Sequence, residues 1–222
     1  MELQRQRIAE HSAAVDASSR AAPAPAGAWT VAEDFLRSQP IRDEESLRAF
    51  LSSFLADVLT KVELPVIRWA HAASARNDAR ELMTLDAALR DAPLPPKLVE
   101  ASRRVGQMQM RKLQPLKGHR FLGRYGAALD AGETPGHNPV VYGIFLFVFS
   151  IPLREGLLNY CYQTIEGFSA AAASSLRLPA PRQRALIDPL LALLPQQVER
   201  SFAVEQKDLV AQRSGGDGAT ER

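Results

Sequence analysis

Leucine and phenylalanine recur at intervals of three and four residues along most of this chain. That spacing places them on one helix face, so it predicts amphipathic helices. The first run extends from Leu47 to Leu59, and we expect Pro65 to end or kink its helix before a buried helix over 66–73. Because no segment alternates like a strand, the pattern predicts an all-α fold, a single multi-helix domain resembling a bundle. Further helices are predicted over 78–89, 97–113 and 182–202.

The most apolar part of the chain carries the clearest local signals for helix boundaries. Asn138 is a favoured N-cap residue, and Pro139 suits the first turn of a helix. We expect that helix to run to about Phe149 and a longer helix to follow Pro152. The preceding stretch over 115–135 is rich in glycine, so we expect a loop there with one short helix.

The apolar run over 139–153 is shorter than the roughly 20 residues that a membrane helix needs. Pro152 also interrupts it, so we interpret the run as a core helix and expect no association with a membrane. In that interpretation the side chains of Val141, Phe145 and Val148 are expected to be largely buried.

Composition divides the chain into three parts. Residues 1–28 are expected to be a flexible segment and linker, because the alanine- and proline-rich stretch over 17–28 has little apolar surface to bury. Residues 29–213 make up the helical domain, and the glycine-containing tail over 214–222 is expected to be disordered. The N-terminal residues lack the apolar run of a secretory signal, so we expect a cytoplasmic protein.

Charge and motif content argue against several classes of function. The 27 basic and 25 acidic side chains leave a formal net charge of only +2, so nucleic acid is not an expected partner. The phosphate-binding pattern GxxxxGK[ST] is absent, and no histidine or cysteine pair has the spacing of metal ligands. We therefore expect a protein that is not an enzyme and holds neither a cofactor nor a metal.

Two groups of residues leave chemical alternatives open. His137 is either a polar residue of a capped turn or a contact for a partner or a metal, and a nickel-carrying role with His137 or Cys161 as ligand stays open. For the single cysteine we favour a small buried thiol, because no base is placed to activate it. We interpret a stripe of aromatic residues as part of the core. In the alternative, these residues line an apolar pocket, and the chain is a helical domain that binds a small molecule or acts as an enzyme. The stripe comprises Phe145, Phe147, Phe149 and Tyr160.

Several short motifs follow one another in a fixed order over residues 41–198. A D-x-x-L element at Asp86 and Leu89 precedes an E-A-S-x-x-x-G helix over 100–106. A G-H-x-x-V-x-[FY]-G element over 136–143 then opens the apolar helix, and two tyrosines, an alanine run and Arg-Leu follow by residue 178. Together with the helix start over 41–55, this order resembles the UreF family of urease accessory proteins.

The chain departs from the family pattern in two places. The family signature P-x-G-x-[FY]-x-x-S-x-G-L-E should precede residue 41, but only Pro25, Gly27 and Glu33 could be its remnants. The G-Q-x-x-x-Q segment that follows Arg-Leu in the family is reduced here to Gln183. Both departures bear on how the chain would bind its partners.

The resemblance implies an all-helical homodimer that serves as a scaffold in urease maturation. Such a protein binds the accessory protein UreD, also called UreH, and recruits or regulates the nickel-carrying GTPase UreG for nickel insertion into apo-urease. A partner surface is expected to include the C-terminal helix around 198–210, because that end of the chain is free to order on binding. The candidate partner-interface or motif residues are Gly136, His137, Tyr142, Tyr160, Tyr162 and Arg177.

Overall fold

The structure of the chain, a computed structural model, describes residues 35–36, 38–113 and 119–207, and this part is helical without any strand. The predicted all-α fold is therefore confirmed. The predictions for the terminal segments over 1–28 and 214–222 lie outside the described residues. The helices are α1 (Glu44–Ser53), a π-helix (Phe54–Glu63), α2 (Leu64–Ala75), α3 (Ala79–Arg90), α4 (Pro96–Leu113), α5 (Arg120–Asp130), α6 (Asn138–Val148), α7 (Leu153–Leu176), α8 (Ala180–Leu191) and α9 (Leu194–Ser201).

The first predicted helix is one part of a longer helical segment. Asp43 caps α1 by accepting a hydrogen bond from the Ser46 N–H at 2.9 Å, and the Ser46 hydroxyl accepts one from the Asp43 N–H in return. The π-helix follows directly, so that the N–H of Leu64 bonds to the carbonyl of Leu59. Pro65 does not end the segment, because the helical backbone continues through Glu63 into α2, and Pro65 lies in the first turn of α2.

The glycine-rich region forms more helix than the sequence predicts. Residues 120–130, expected to be mostly loop, make up the three-turn helix α5 despite the glycines at 123 and 126. Phe121, Leu122 and Tyr125 share one face of α5 and are buried. Burial of three large side chains outweighs the cost of about 1 kcal/mol per glycine in a helix.

The predicted C-terminal helix over 182–202 is two helices, α8 and α9, separated at Ala192 and Leu193. Pro195 explains the break, because a proline nitrogen cannot bond to the carbonyl four residues earlier. Within the expected partner surface around 198–210, Val198 is buried, whereas Glu199 and Arg200 are exposed. Residues beyond 207 lie outside the described part of the chain.

Helix α6 lies between two clusters of buried apolar side chains. One cluster joins α1, the π-helix, α7, α8 and α9, and α6 contributes Leu146 to it. The other joins α2, α3, α5 and the end of α4, and α6 contributes Ile144. Val141 is fully buried as predicted, whereas Phe145 and Val148 are only half-buried. No helix of the described residues combines the length and apolarity that crossing a membrane requires.

Helices α2 and α6 approach each other closely at Gly143. A Cβ atom there would lie 2.5 Å from the carbonyl oxygen of Ile67 and 2.7 Å from the Cβ of Ala70. The substitution Gly143→Ala is therefore expected to lower the free energy of unfolding by about 1–3 kcal/mol through overpacking. Urea unfolding followed by circular dichroism measures the change.

Gly123 offers a matched control for Gly143. It lies on the exposed face of α5, and a Cβ atom there would meet no atom within 4 Å. Gly123→Ala is expected to raise the free energy of unfolding by about 0.5–1 kcal/mol, because alanine favours the helix. Equal effects of the two substitutions would contradict the close helix contact.

Candidate functional site

The carboxylate of Asp86 is the centre of a fully buried hydrogen-bond network between α3 and the turn before α6. Its Oδ2 accepts hydrogen bonds from the Tyr125 hydroxyl at 2.8 Å, the Thr134 hydroxyl at 2.7 Å and the Gly136 N–H at 2.6 Å. Its Oδ1 accepts from the N–H of His137 at 2.8 Å and lies 2.7 Å from the ring Nδ1 of the same residue. One side chain therefore fixes α5 and the turn leading into α6 against α3.

The environment of Asp86 favours its ionised form. Burial alone raises the pKa of this carboxyl, but hydrogen bonds and charge from His137 and the hydroxyl of Thr134 outweigh it, so that the pKa lies below its ordinary value. Burial and the charge of Asp86 raise the pKa of Tyr125 well above its usual range. Because Asp86 is a carboxylate, the Nδ1 of His137 carries the proton between them.

Helix α4 holds the same turn from the other side. Gly136 has a φ of +77°, a left-handed conformation that favours glycine. A Cβ atom on Gly106 would overlap the carbonyl oxygen of Gly136, so only glycine lets α4 come this close. The Ser102 hydroxyl accepts a hydrogen bond from the Asn138 N–H at 3.1 Å. The structure thus brings together the D-x-x-L, E-A-S-x-x-x-G and G-H elements of the sequence.

Asn138 lies next to the N-cap of α6, in agreement with the predicted helix start. His137 is the N-cap, and Asn138 is the first helical residue. The His137 side chain is bound to Asp86 and makes no capping bond, so Ser102 of α4 supplies the acceptor that the helix start needs. The Asn138 side chain is free to reach across to α7, where its Nδ2 donates to the Tyr160 hydroxyl at 3.1 Å.

A second buried acid, Glu63, lies at the end of the π-helix. Its Oε2 accepts a hydrogen bond from the Tyr160 hydroxyl at 3.0 Å, which joins Glu63 to Asn138 and the start of α6. Burial raises the pKa of Glu63 to about 7, and the hydrogen bond from Tyr160 offsets only part of that effect. The ring of Tyr142 packs on Tyr160 at 4.8 Å, and its hydroxyl donates to the carbonyl of Gly156 at 3.2 Å.

Four of the six candidate residues from the sequence converge at this place, and two do not. Gly136, His137, Tyr142 and Tyr160 are all buried around the start of α6. Tyr162 is half-buried on α7 and packs against the cluster of α1 and α8. Arg177 is exposed at the far end of α7, where it forms the C-cap with a φ of +53°.

The sequence pattern does not indicate a role for either of the two acids at the centre of these networks. Asp86 belongs to the D-x-x-L motif. It also lies on the buried helix face defined by Leu82, Leu85 and Leu89. Glu63 lies between Val62 and Leu64, both buried. An acidic residue inside an apolar helix face is the signal that could have found both, because a buried carboxylate requires hydrogen-bond donors.

The geometry bears on the chemical alternatives as well. His137 is occupied by Asp86, and burial raises the pKa of the Cys161 thiol, which disfavours the thiolate that a metal needs. Within the described ranges no three His, Cys, Asp or Glu side chains come together as a metal site would require. The aromatic stripe is divided: Phe147 packs near His119 and Phe121, whereas Phe149 is 51% exposed beside Phe145.

The fold and its polar centre define a helical scaffold in which buried carboxylates position helices. The sequence model of the UreF family matches residues 41–178, well over half of the chain, and this chain belongs to the UreF family. The urease accessory protein UreF of Sporosarcina pasteurii is 24% identical over 177 residues, covering 80% of this chain and 86% of that relative. The UreF of Chromohalobacter salexigens is 29% identical over 192 residues, covering 86% and 80%.

Proposed function

We propose that this chain acts in urease maturation as a non-enzymatic scaffold. It binds a UreD-type (UreH-type) partner and recruits or regulates the GTPase UreG, so that nickel is inserted into apo-urease. The observation that carries this proposal is the family match over residues 41–178, which contain α1 to α7 and both buried acid networks. The proposal includes a cytoplasmic location and a homodimer. Light scattering of the purified chain tests the homodimer.

The buried candidate residues support such a role indirectly. Gly136, His137, Tyr142 and Tyr160 lie inside the chain, so they act by holding α4, α6 and α7 in a fixed arrangement. Exposed residues then make the partner contacts, and Arg177 is a candidate among them. Rigid helices that keep their arrangement lower the entropy cost of binding a partner.

Co-purification tests the proposed function directly. Tagged full-length chain is expected to retain purified UreD-type protein and UreG from the same source, and to raise the activity of apo-urease when nickel is supplied. The same experiment with Gly143→Ala protein, in which the packing of α2 against α6 is disturbed, tests whether that arrangement matters for retention of the partners. The chain alone is expected to hydrolyse no GTP, because its sequence has no phosphate-binding loop. Retention of neither partner would count against the proposal.

The N-terminal departure from the family offers a way to interpret a negative result. Replacing residues 23–33 with a complete family signature is expected to restore binding if only that signature is lacking. If the grafted chain also retains no partner, the proposed function is wrong.

A truncation tests the C-terminal contribution to binding, and the structure decides where to cut. Gln197 is buried and lies 3.1 Å from the Thr60 hydroxyl, so a deletion beginning there removes part of the core. Deletion of residues 208–222 leaves α9 complete. The shorter chain is expected to unfold like the full chain and to bind its partner more weakly.

A further inference from the structure

Positive charge is concentrated on one part of this chain. Between Glu100 and Asp130 the sequence contains seven lysines and arginines and no acidic residue. The whole chain carries a formal net charge of only +2, so the remaining residues are acidic on balance. This separation of charge falls on α4, α5 and the residues that connect them.

The basic side chains of α4 and α5 that lie between Glu100 and Asp130 are exposed. We call them the α4–α5 basic surface. Of these side chains, only Arg104 forms an ion pair with a described residue, namely Glu100 one turn earlier. An exposed cluster of like charges repels itself, so an acidic partner is favoured there. The surface comprises Arg103, Arg104, Arg111, Lys112, Arg120 and Arg124.

Helices α4 and α5 meet at Gly126 of α5, where a Cβ atom would lie 3.4 Å from the end of the Met110 side chain of α4. The exposed stripe of α5 contains Arg120 and Arg124. Gly123 lies between the two arginines in the sequence, and Ala127 follows them. Residues this small let another backbone approach the guanidinium groups. On α4, the half-buried Met108 lies between Arg104 and Arg111 on one helix face.

The chemistry of this surface favours a protein partner over other polyanions. Five of its six cations are arginines, whose planar guanidinium groups bind carboxylates through two parallel hydrogen bonds. Arginine and methionine are enriched in protein–protein interfaces, and Met108 supplies an apolar contact amid the charges. Nucleic acid or an anionic membrane would need the positive charge alone.

We propose that the α4–α5 basic surface docks an acidic surface of a partner protein, through arginine–carboxylate pairs around Met108. The proposal goes beyond the proposed function, which does not say where on this chain a partner binds. Any face rich in aspartate and glutamate with room for α5 to approach fits its chemistry.

Two triple variants of the full chain test the proposal. The first, R111E/R120E/R124E, reverses three charges of the α4–α5 basic surface. The second, R48E/R80E/R200E, reverses three exposed arginines on α1, α3 and α9, none of which forms an ion pair among the described residues. Three reversals of two charges each take the formal net charge from +2 to −4 in both. Each triplet includes one residue in a first turn, one in mid-helix and one in a last turn, so effects on helix stability are matched.

Binding is measured first with a fluorescent poly-glutamate peptide of about 20 residues in salt of about 0.15 M, where the Debye length is about 8 Å. The basic-surface variant is expected to bind about tenfold more weakly than the unaltered chain, and the control variant within about twofold. Circular dichroism verifies that both variants are folded. Equal weakening in both variants would show that only net charge matters, and would overturn the proposal. A neutral variant, R111Q/R120Q/R124Q, replaces the first if charge reversal unfolds it.

Two further probes decide between classes of polyanion. Duplex DNA of 20 base pairs and vesicles with phosphatidylserine are titrated under the same conditions. If either binds more tightly than the acidic peptide and loses binding in the basic-surface variant, the proposal of a protein partner is wrong. The same variants are then used in co-purification with UreD-type protein, UreG and apo-urease. Retention of all partners by the basic-surface variant would contradict docking there while leaving the proposed function intact.

Discussion

Replacing Asp86 with alanine is expected to lower the free energy of unfolding by about 3–5 kcal/mol. The change leaves the hydroxyls of Tyr125 and Thr134 and the N–H groups of Gly136 and His137 buried without their acceptor. Each buried donor that loses its partner costs about 1–3 kcal/mol. Relaxation of the turn offsets part of this free-energy cost. Urea unfolding followed by far-ultraviolet circular dichroism measures the loss.

Asp130→Ala is the matched control for the Asp86 variant. Asp130 is exposed at the end of α5, and its removal is expected to change the free energy of unfolding by less than about 0.5 kcal/mol. The intermediate substitution Asp86→Asn keeps one oxygen acceptor and is expected to fall between the two. An Asp86→Ala protein as stable as the control would show that the network does not hold α3, α5 and α6 together.

Replacing Glu63 with glutamine is expected to remove a large pH dependence of stability. The pKa of Glu63 rises from its ordinary 4.5 to about 7 on folding, because burial penalises its charge. Between those two values the folded chain binds more protons than the unfolded chain, so the stability from this group is complete below pH 4.5 and lost as pH rises through 7. The shift corresponds to about 3 kcal/mol. Glutamine keeps the acceptor for Tyr160 without the charge.

Urea unfolding at pH 5 and pH 8 separates the contribution of Glu63 from other titrating groups. The unaltered chain is expected to lose about 2.5 kcal/mol more than the Glu63→Gln protein between these pH values. Tyr160 and Cys161 have raised pKa values and stay neutral throughout the range. Glu133→Gln, at an exposed turn, is the control and is expected to follow the unaltered chain. Parallel curves for the chain and the Glu63 variant would mean that Glu63 does not titrate in this range.

Most helices could be predicted because their signals are local. The spacing of leucines fixed α3 and α4 to within about two residues, since a buried helix face repeats every three to four positions. The length of α5 could not be predicted in this way, because its glycines argue for a loop with only a short helix, and burial of Phe121 and Tyr125 stabilises three turns. The break before α9 was also missed, although Pro195 is a local signal for it.

The candidate site divides along the same line. The motifs containing Asp86, Ser102, Gly106 and Gly136 were visible in the sequence, and their order gave the resemblance to the UreF family that the comparisons confirm. Because these motifs are far apart along the chain, the sequence does not show that they meet at the turn before α6. The bond from Gly136 to Asp86 joins residues fifty positions apart, which no periodicity can indicate.

The sequence by itself therefore determined the fold class, the family and most of the helices, because helical periodicity, caps and motif order are properties of neighbouring residues. Only the tertiary structure decided that His137 is a buried hydrogen-bond partner of Asp86 and not an exposed contact. It also decided that Tyr160 links Glu63 to Asn138 at the start of α6. The physical reason is that burial and hydrogen-bond partners arise from packing between distant segments. On an exposed face the same residue types would form their hydrogen bonds with water and would not hold helices together.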